Sequence, residues 1–132
     1  MATLMTDTER NALADYQAGR ISYLSLHTAS PGTTGASETT GGSPAYARKA
    51  ITFTSAGAQG TLGAVKQPAT VGVAWSSQVV FDAPAGTYTH WGTWTASTSG
   101  TYRIGNALDL PETSSGQTQV TVSIGVGQVA GA

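Results

Sequence analysis

Residues 117–126 read Gln117-Thr118-Gln119-Val120-Thr121-Val122-Ser123-Ile124-Gly125-Val126, with apolar and polar side chains in alternation. A period of two is the mark of a half-buried strand, because successive side chains of an extended chain point to opposite faces. Val120, Val122, Ile124 and Val126 then share a core face, and Gln119, Thr121, Ser123 and Gly125 share the other.

The same period recurs upstream. Residues 87–96 (TYTHWGTWTA) set Tyr88, His90, Gly92 and Trp94 on one side and Thr87, Thr89, Trp91, Thr93 and Thr95 on the other. Residues 20–28 (RISYLSLHT) point Leu24 and Leu26 one way and Ile21 and Tyr23 the other, and apolar side chains on both faces mark a central strand. Residues 46–55, with Ile51 and Phe53 on one face, and residues 69–75, 78–82 and 101–104 supply further strands. Pro84-Ala85-Gly86 and residues 97–100 are turns. Residues 106–116 read as irregular, since Pro111 cannot donate to a central ladder. About seven short strands with turns every 8–12 residues predict an all-β protein, an antiparallel β-sandwich of Ig-like or jelly-roll-like type. It is expected as a single domain over 1–132, with an N-terminal helix arm (1–19), the sandwich (20–126) and an apolar tail (127–132).

The arm is the one convincing helix. Thr6-Asp7-Thr8-Glu9 fits a capping box, Asp7 and Glu9 suit the positive end of the helix dipole, and Gly19 is a plausible stop. Ala12, Leu13 and Tyr16 form its apolar stripe, to be packed on its own sheet or on a partner. Residues 30–44 (SPGTTGASETTGGSP) form a polar loop longer than most connections, which suggests a functional loop or one packed back on the surface.

Composition narrows the function classes. The 132 residues include 17 Gly, 13 Ser and 21 Thr, more than a third of the chain, while charged residues reach 10%. This is the composition of a turn-rich β protein. Six dispersed Lys and Arg cannot draw the basic face that nucleic acid needs, or a polybasic membrane patch. Neither a nucleic-acid nor a membrane partner is expected. With no cysteine there is no disulfide framework and no thiolate metal site. The first fifteen residues lack a cationic start followed by an apolar run, so no secretory signal is expected.

Candidates for chemistry are few. His27 and His90 lie on predicted strands, and two imidazoles are too few for a zinc site without carboxylates nearby. The plainer reading is a hydrogen-bonding histidine at a sheet edge. Glu38, Asp82, Asp109 and Glu112 are isolated on loops or strand ends, and a pairing of Asp82 with Asp109 or Glu112 has nothing to recommend it. No G-x-S-x-G elbow, phosphate loop or calcium loop is readable. No catalytic residue, metal or cofactor is expected. Trp91 and Trp94 fall on opposite faces of their strand. The one left exposed is a candidate contact for a protein partner or a sugar ring.

Several stretches together resemble one family. Residues 23–32 (YLSLHTASPG) are similar to the LSLHTADPG motif of small tail-fibre-like virion proteins of tailed bacteriophages. Residues 33–38 (TTGASE) and 41–50 (GGSPAYARKA) match its next stretch, a G-x-x-E, a Gly-rich turn and YAR-x-A. Residues 80–87 (VFDAPAGT), 89–94 (THWGTW) and 110–113 (LPET) resemble its PAGT, THxGLW and PET segments, in order. Ser30 stands where the family usually has Asp, and Trp91 and Thr93 replace smaller or aliphatic residues. The family carries no catalytic residues, and its motif implies a scaffold for the long loop built from Leu26, His27, Thr28, Pro31, Gly32, Tyr46 and Arg48. The resemblance implies a noncatalytic, multi-copy protein on the exterior of a virion, made in the host cytoplasm, of tail-fibre or minor-tail type. Other virion proteins of tail or capsid, copies of itself as a homo-oligomer or lattice, and a host cell-surface glycan are its expected partners. Capsid decoration, or a carbohydrate-binding module, is the alternative.

Overall fold

The computed structural model describes residues 4–60 and 67–127. Its elements are helix α1 (Asp7–Gly19) and strands β1 (Tyr23–His27), β2 (Lys49–Ala50), β3 (Val73–Trp75), β4 (Val79–Ala83), β5 (Gly86–Trp94), β6 (Tyr102–Ser114), β7 (Thr118–Val122) and β8 (Gly125–Gly127). All the strand pairs are antiparallel. Among the described residues, strands and isolated bridges make up 44% and helix 11%, the all-β sandwich with a short N-terminal helix that the alternating pattern predicts. The chain forms two compact units. One comprises residues 1–20, 52–78 and 123–132, and the other 21–51 and 79–122.

The first unit holds α1 and the β3–β8 pair, in which Val73, Ala74 and Trp75 face Gly127, Val126 and Gly125. The helix starts as the capping box predicts: Thr6 Oγ1 accepts the Glu9 N–H at 3.2 Å. Its packing face differs from the expected stripe. Ala14 and Ala18 are buried, whereas Leu13 and Tyr16 are 50% and 66% exposed. The reason is close approach. A side chain at Gly127 would run into the Gly72 carbonyl and the Ala14 methyl, so the strand pair comes too near the helix for a leucine or tyrosine to fit between. Polar bonds fix the same face, with Asn11 Oδ1 accepting from Gly72 N (2.8 Å) and Asp15 Oδ1 from Ala56 N (2.7 Å).

The second unit holds a four-stranded sheet ordered β2-β1-β5-β6 and the β4–β7 pair. β1 is central, as its two apolar faces predict. Leu24, Leu26, Phe81, Ala83, Tyr88, Val120 and Val122 are buried. Each large aliphatic or aromatic side chain of this set contributes about 1.5–3 kcal/mol. Tyr46 holds Leu26 of one sheet through its hydroxyl and stacks its ring on Phe81 of the other at 5.8 Å.

Three strand readings need correction. Residues 106–116 are not irregular: β6 runs on to Ser114. Pro111 is tolerated because β6 is the sheet edge and register slips between the Tyr88 and His90 pairings, leaving Pro111 unpaired in the ladder. Residues 117–126 are not one strand but two, β7 pairing β4 and β8 pairing β3. Ser76 interrupts them. Its N–H donates to the Ile124 carbonyl and its Oγ accepts the Ile124 N–H, both at 2.8 Å. The alternation survives the break, since Val120, Val122, Ile124 and Val126 are all buried. Residues 46–55 contribute only β2 and an isolated bridge between Phe53 and Ser76. Of the tail 127–132, Gly127 closes β8 and residues 128–132 lie outside the described residues.

Val122→Asp should destabilise the protein by about 4 kcal/mol or more, because a buried carboxylate opposite Val79 has no partner. Urea unfolding followed by tryptophan fluorescence checks this, and a loss below about 1 kcal/mol would contradict the core assignment.

Candidate functional site

The motif residues converge on the end of β1. β2 stops beside Leu24, so the backbone of Leu26, whose side chain is wholly buried, has no neighbouring strand on that side. The long loop takes the place of one. Thr39 N–H donates to Leu26 O (3.0 Å), Thr28 N–H to Ser37 O (3.0 Å), and His27 and Glu38 form a bridge pair. The Tyr46 hydroxyl accepts the Leu26 N–H at 3.1 Å and donates to Glu38 Oε2 at 2.8 Å.

His27 stands at the centre of a second chain of bonds. Its Nδ1 lies 2.7 Å from the Ala36 carbonyl, which can only accept, so Nδ1 carries the proton. Nε2, 2.7 Å from Ser25 Oγ, is then the acceptor of the serine hydroxyl. Ser25 Oγ in turn accepts the Trp94 indole N–H at 2.9 Å. Donor order therefore runs Trp94 to Ser25 to His27 to Ala36. Burial lowers the His27 pKa below 6.5, against opposing contributions from the Ala36 carbonyl and Glu38, and keeps the ring neutral. Across the ladder Ser25 faces Gly92, where a methyl would lie 2.7 Å from both His27 Nε2 and Ser25 Oγ. Glycine is there to make room for the serine–histidine bond.

Arg48 joins the two chains. Its Nη2 and Nε grip Glu38 at 2.9 and 3.0 Å, and its Nη1 donates to the carbonyls of Ala96 (3.1 Å) and Ser99 (2.8 Å). The guanidinium lies 3.6 Å from the centre of the Trp94 ring, whose edge meets Tyr102. The side chains of Arg48 and Glu38 are 10% and 19% exposed, so their attraction is little screened. Burial pushes the phenols of Tyr46 and Tyr102 above their usual range. One cation thus ties the loop 30–44 to the turn between β5 and β6.

Pro31 and Gly32 start the loop. The Pro31 carbonyl accepts from Gly35 N (3.0 Å) and Ala36 N (3.1 Å), and Gly32 and Gly35 have φ of 57° and 77°. Gly35 sits against the Trp94 ring, where a side chain would collide at 2.5 Å. Thr28 lies at the loop mouth, its Oγ1 reaching Ser37 O at 3.4 Å. Of the two tryptophans, Trp94 is committed to this cluster. Trp91 is half-buried and pairs with Leu26 on the opposite face of β1 and β5.

His27 and His90 are directly opposed in the ladder, and His90 Nδ1 lies 2.8 Å from Thr89 Oγ1. Among the described residues, no three His, Asp or Glu side chains gather as a metal cluster, and no helix is long and apolar enough to cross a membrane. Asp82 accepts from Gln119 across its strand pair. Glu38, read from sequence as an isolated loop carboxylate, is instead the anion that Arg48 and Tyr46 share. Ser25 and Tyr102 also escaped the sequence reading. For Ser25 the available signal was the period of two that places it on the face of His27.

This fold and this cluster define a β-rich scaffold whose motif residues hold surface loops in place. The sequence model of a family described as Podophage GP4 fiber I protein gp80 matches residues 5–130, and the chain belongs to that family. It is thus a phage tail-fibre-like protein, a virion component that associates with other virion components. No curated protein and no solved structure matches the chain.

Arg48→Ala should cost about 3 kcal/mol, since it strands the Glu38 carboxylate and frees two carbonyls. Arg48→Lys should recover less than half, because an ammonium cannot form the paired fork. Urea denaturation at neutral pH measures both.

The histidine makes stability depend on pH. The unfolded imidazole binds a proton near 6.5, while the folded one does so only at lower pH. Its contribution is present above 6.5 and is lost as pH falls below that value. Melting temperature followed from about pH 8 to about pH 5 should fall more steeply for the wild type than for His27→Gln. Parallel curves would show that His27 is not the titrating group.

Proposed function

We propose that this chain is a noncatalytic structural protein on the exterior of a tailed-phage particle, of tail-fibre or minor-tail type and present in many copies. The observation that carries the reading is the internal use of its functional-looking side chains. Both nitrogens of His27, both oxygens of Glu38, the Tyr46 hydroxyl and the Arg48 guanidinium all bond within the protein. A general base or nucleophile needs a lone pair within reach of substrate, and these are spent. What they hold in place is a pair of hydroxyl-rich loops, 30–44 and the β5–β6 turn, pinned by one guanidinium. A rigid scaffold presenting exposed loops is suited to contact with neighbours. Membership of a fibre family supports the position, and a chain with 10% charged residues has little electrostatic protection against association, in keeping with a homo-oligomer or a multi-copy lattice.

A second reading is a host-surface glycan contact, favoured by one feature. Trp91 is half-buried, and among the described residues its ring enters no hydrogen bond or aromatic pair, unlike Trp94. Stacking on a sugar would use such a ring.

Quantitative mass spectrometry of purified particles, with a density map of the same particles, tests the proposal. The chain is expected at many copies per particle with its density on the tail. Density on the head would mean capsid decoration instead, and a chain absent from particles and soluble in the lysate would overturn the virion reading.

A further inference from the structure

Helix α1 buries one face within its own unit and leaves the opposite face open. Residues Glu9, Leu13, Tyr16 and Arg20 follow one another at intervals of four, three and four. At about 100° per residue they fall within roughly 60° of arc. All four are exposed. Arg20 is held on this face by its own contact, its guanidinium 5.4 Å from the Tyr16 ring centre. Scattered exposed apolar side chains are common on any surface. Here they are ordered, with an anion at one end, a cation at the other and two large apolar side chains between.

That order has a specific consequence. Placed antiparallel against a second α1, with a two-fold axis midway between Ala14 and Asp15, Leu13 meets Tyr16 of the other copy and Glu9 meets Arg20. Both matches occur in the same register and each occurs twice, as a two-fold interface requires. The antiparallel arrangement also opposes the helix dipoles favourably. A parallel arrangement would set Glu9 against Glu9 and Arg20 against Arg20, which disfavours it.

We propose that this face of α1 is a docking surface for the same face of a second copy of the chain. The proposal deepens the multi-copy reading and rests on it for a supply of neighbours. Two leucines and two tyrosines bury several hundred Å², below the roughly 1,000 Å² of a stable interface. The pair is therefore weak in solution and gains strength where copies are held side by side.

Sedimentation equilibrium of the full chain up to about millimolar concentration tests it. The wild type should show a concentration-dependent dimer, and Leu13→Glu should remove it. Glu9→Arg and Arg20→Glu should each weaken the dimer roughly three- to tenfold on their own, by placing like charges together twice. Mixed with each other, these two variants should form a heterodimer at least as tight as the wild type, because every charge pair is then attractive. Circular dichroism melting should stay near wild type for all three, since the substituted side chains are exposed. A monomer at every concentration, a dimer indifferent to Leu13→Glu, or a mixture no tighter than its components would each overturn the proposal. If the chain is monomeric in solution yet abundant on purified particles, this surface is wrong and the virion reading stands. If the chain is missing from particles, the virion reading fails, and the charge-reversal mixture still decides the surface.

Discussion

The second unit depends on satisfying one stretch of buried backbone. β1 is the central strand of its sheet, but its neighbour β2 has only two residues and ends beside Leu24. Beyond that point the N–H and C=O of Leu26 would face the interior with nothing to bond. An unpaired buried backbone group costs about 1–3 kcal/mol. The Tyr46 hydroxyl and the Thr39 N–H remove that cost, and each of them brings a piece of the 30–44 loop with it. The loop is therefore a substitute strand, and its length reflects the path needed to return alongside β1.

Holding that substitute strand requires groups that water would otherwise solvate. Glu38 and Arg48 are largely withdrawn from solvent, and a withdrawn ion pair is tolerated when its remaining donors and acceptors are used. They are: the carboxylate takes the Tyr46 hydroxyl as well as the guanidinium, and the guanidinium takes two carbonyls and the Trp94 ring. The neighbouring run from Trp94 to Ala36 works with a neutral imidazole because each member donates once in the same direction. The two networks meet at Trp94, so the indole is braced on its face by the cation and at its nitrogen by the serine.

Much of this was legible in the sequence, for physical reasons that differ between elements. Alternation found the buried valines of β7 and β8, because side-chain direction in an extended chain is local. It could not see that Ser76 would break the run, since that bond joins residues far apart in the chain. The capping box found the start of α1, which is also local. For the helix, apolar character marked Leu13 and Tyr16 without deciding between their own sheet and a partner, and the face packed within the unit is that of Ala14 and Ala18, with Gly127 approaching the Ala14 methyl. Pro111 gave a true warning about a central strand and a false one about any strand, as edge position is a property of the sheet. Within the cluster, His27, Tyr46 and Arg48 could be singled out as motif residues. Glu38, the partner of Tyr46 and Arg48, could not be connected to them by spacing alone, since the connection is made by the 30–44 loop, five of whose residues have positive φ.

The pairing of β3 with β8 sets an order of events during synthesis. Val73 to Trp75 find their partners only at Gly125 to Gly127, and α1, made earlier still, packs against the same pair. The first unit is assembled from three separated segments, with the whole of the second unit's sequence interleaved between them. As the chain leaves the ribosome, residues 21–51 and 79–122 are complete before β8 exists. The helix and β3 must wait with their packing surfaces open while the other unit has everything it needs. Closing such distant pairings is slow relative to local ones. Folding should accordingly begin in the second unit, with α1, although made before that unit, among the last segments to be secured.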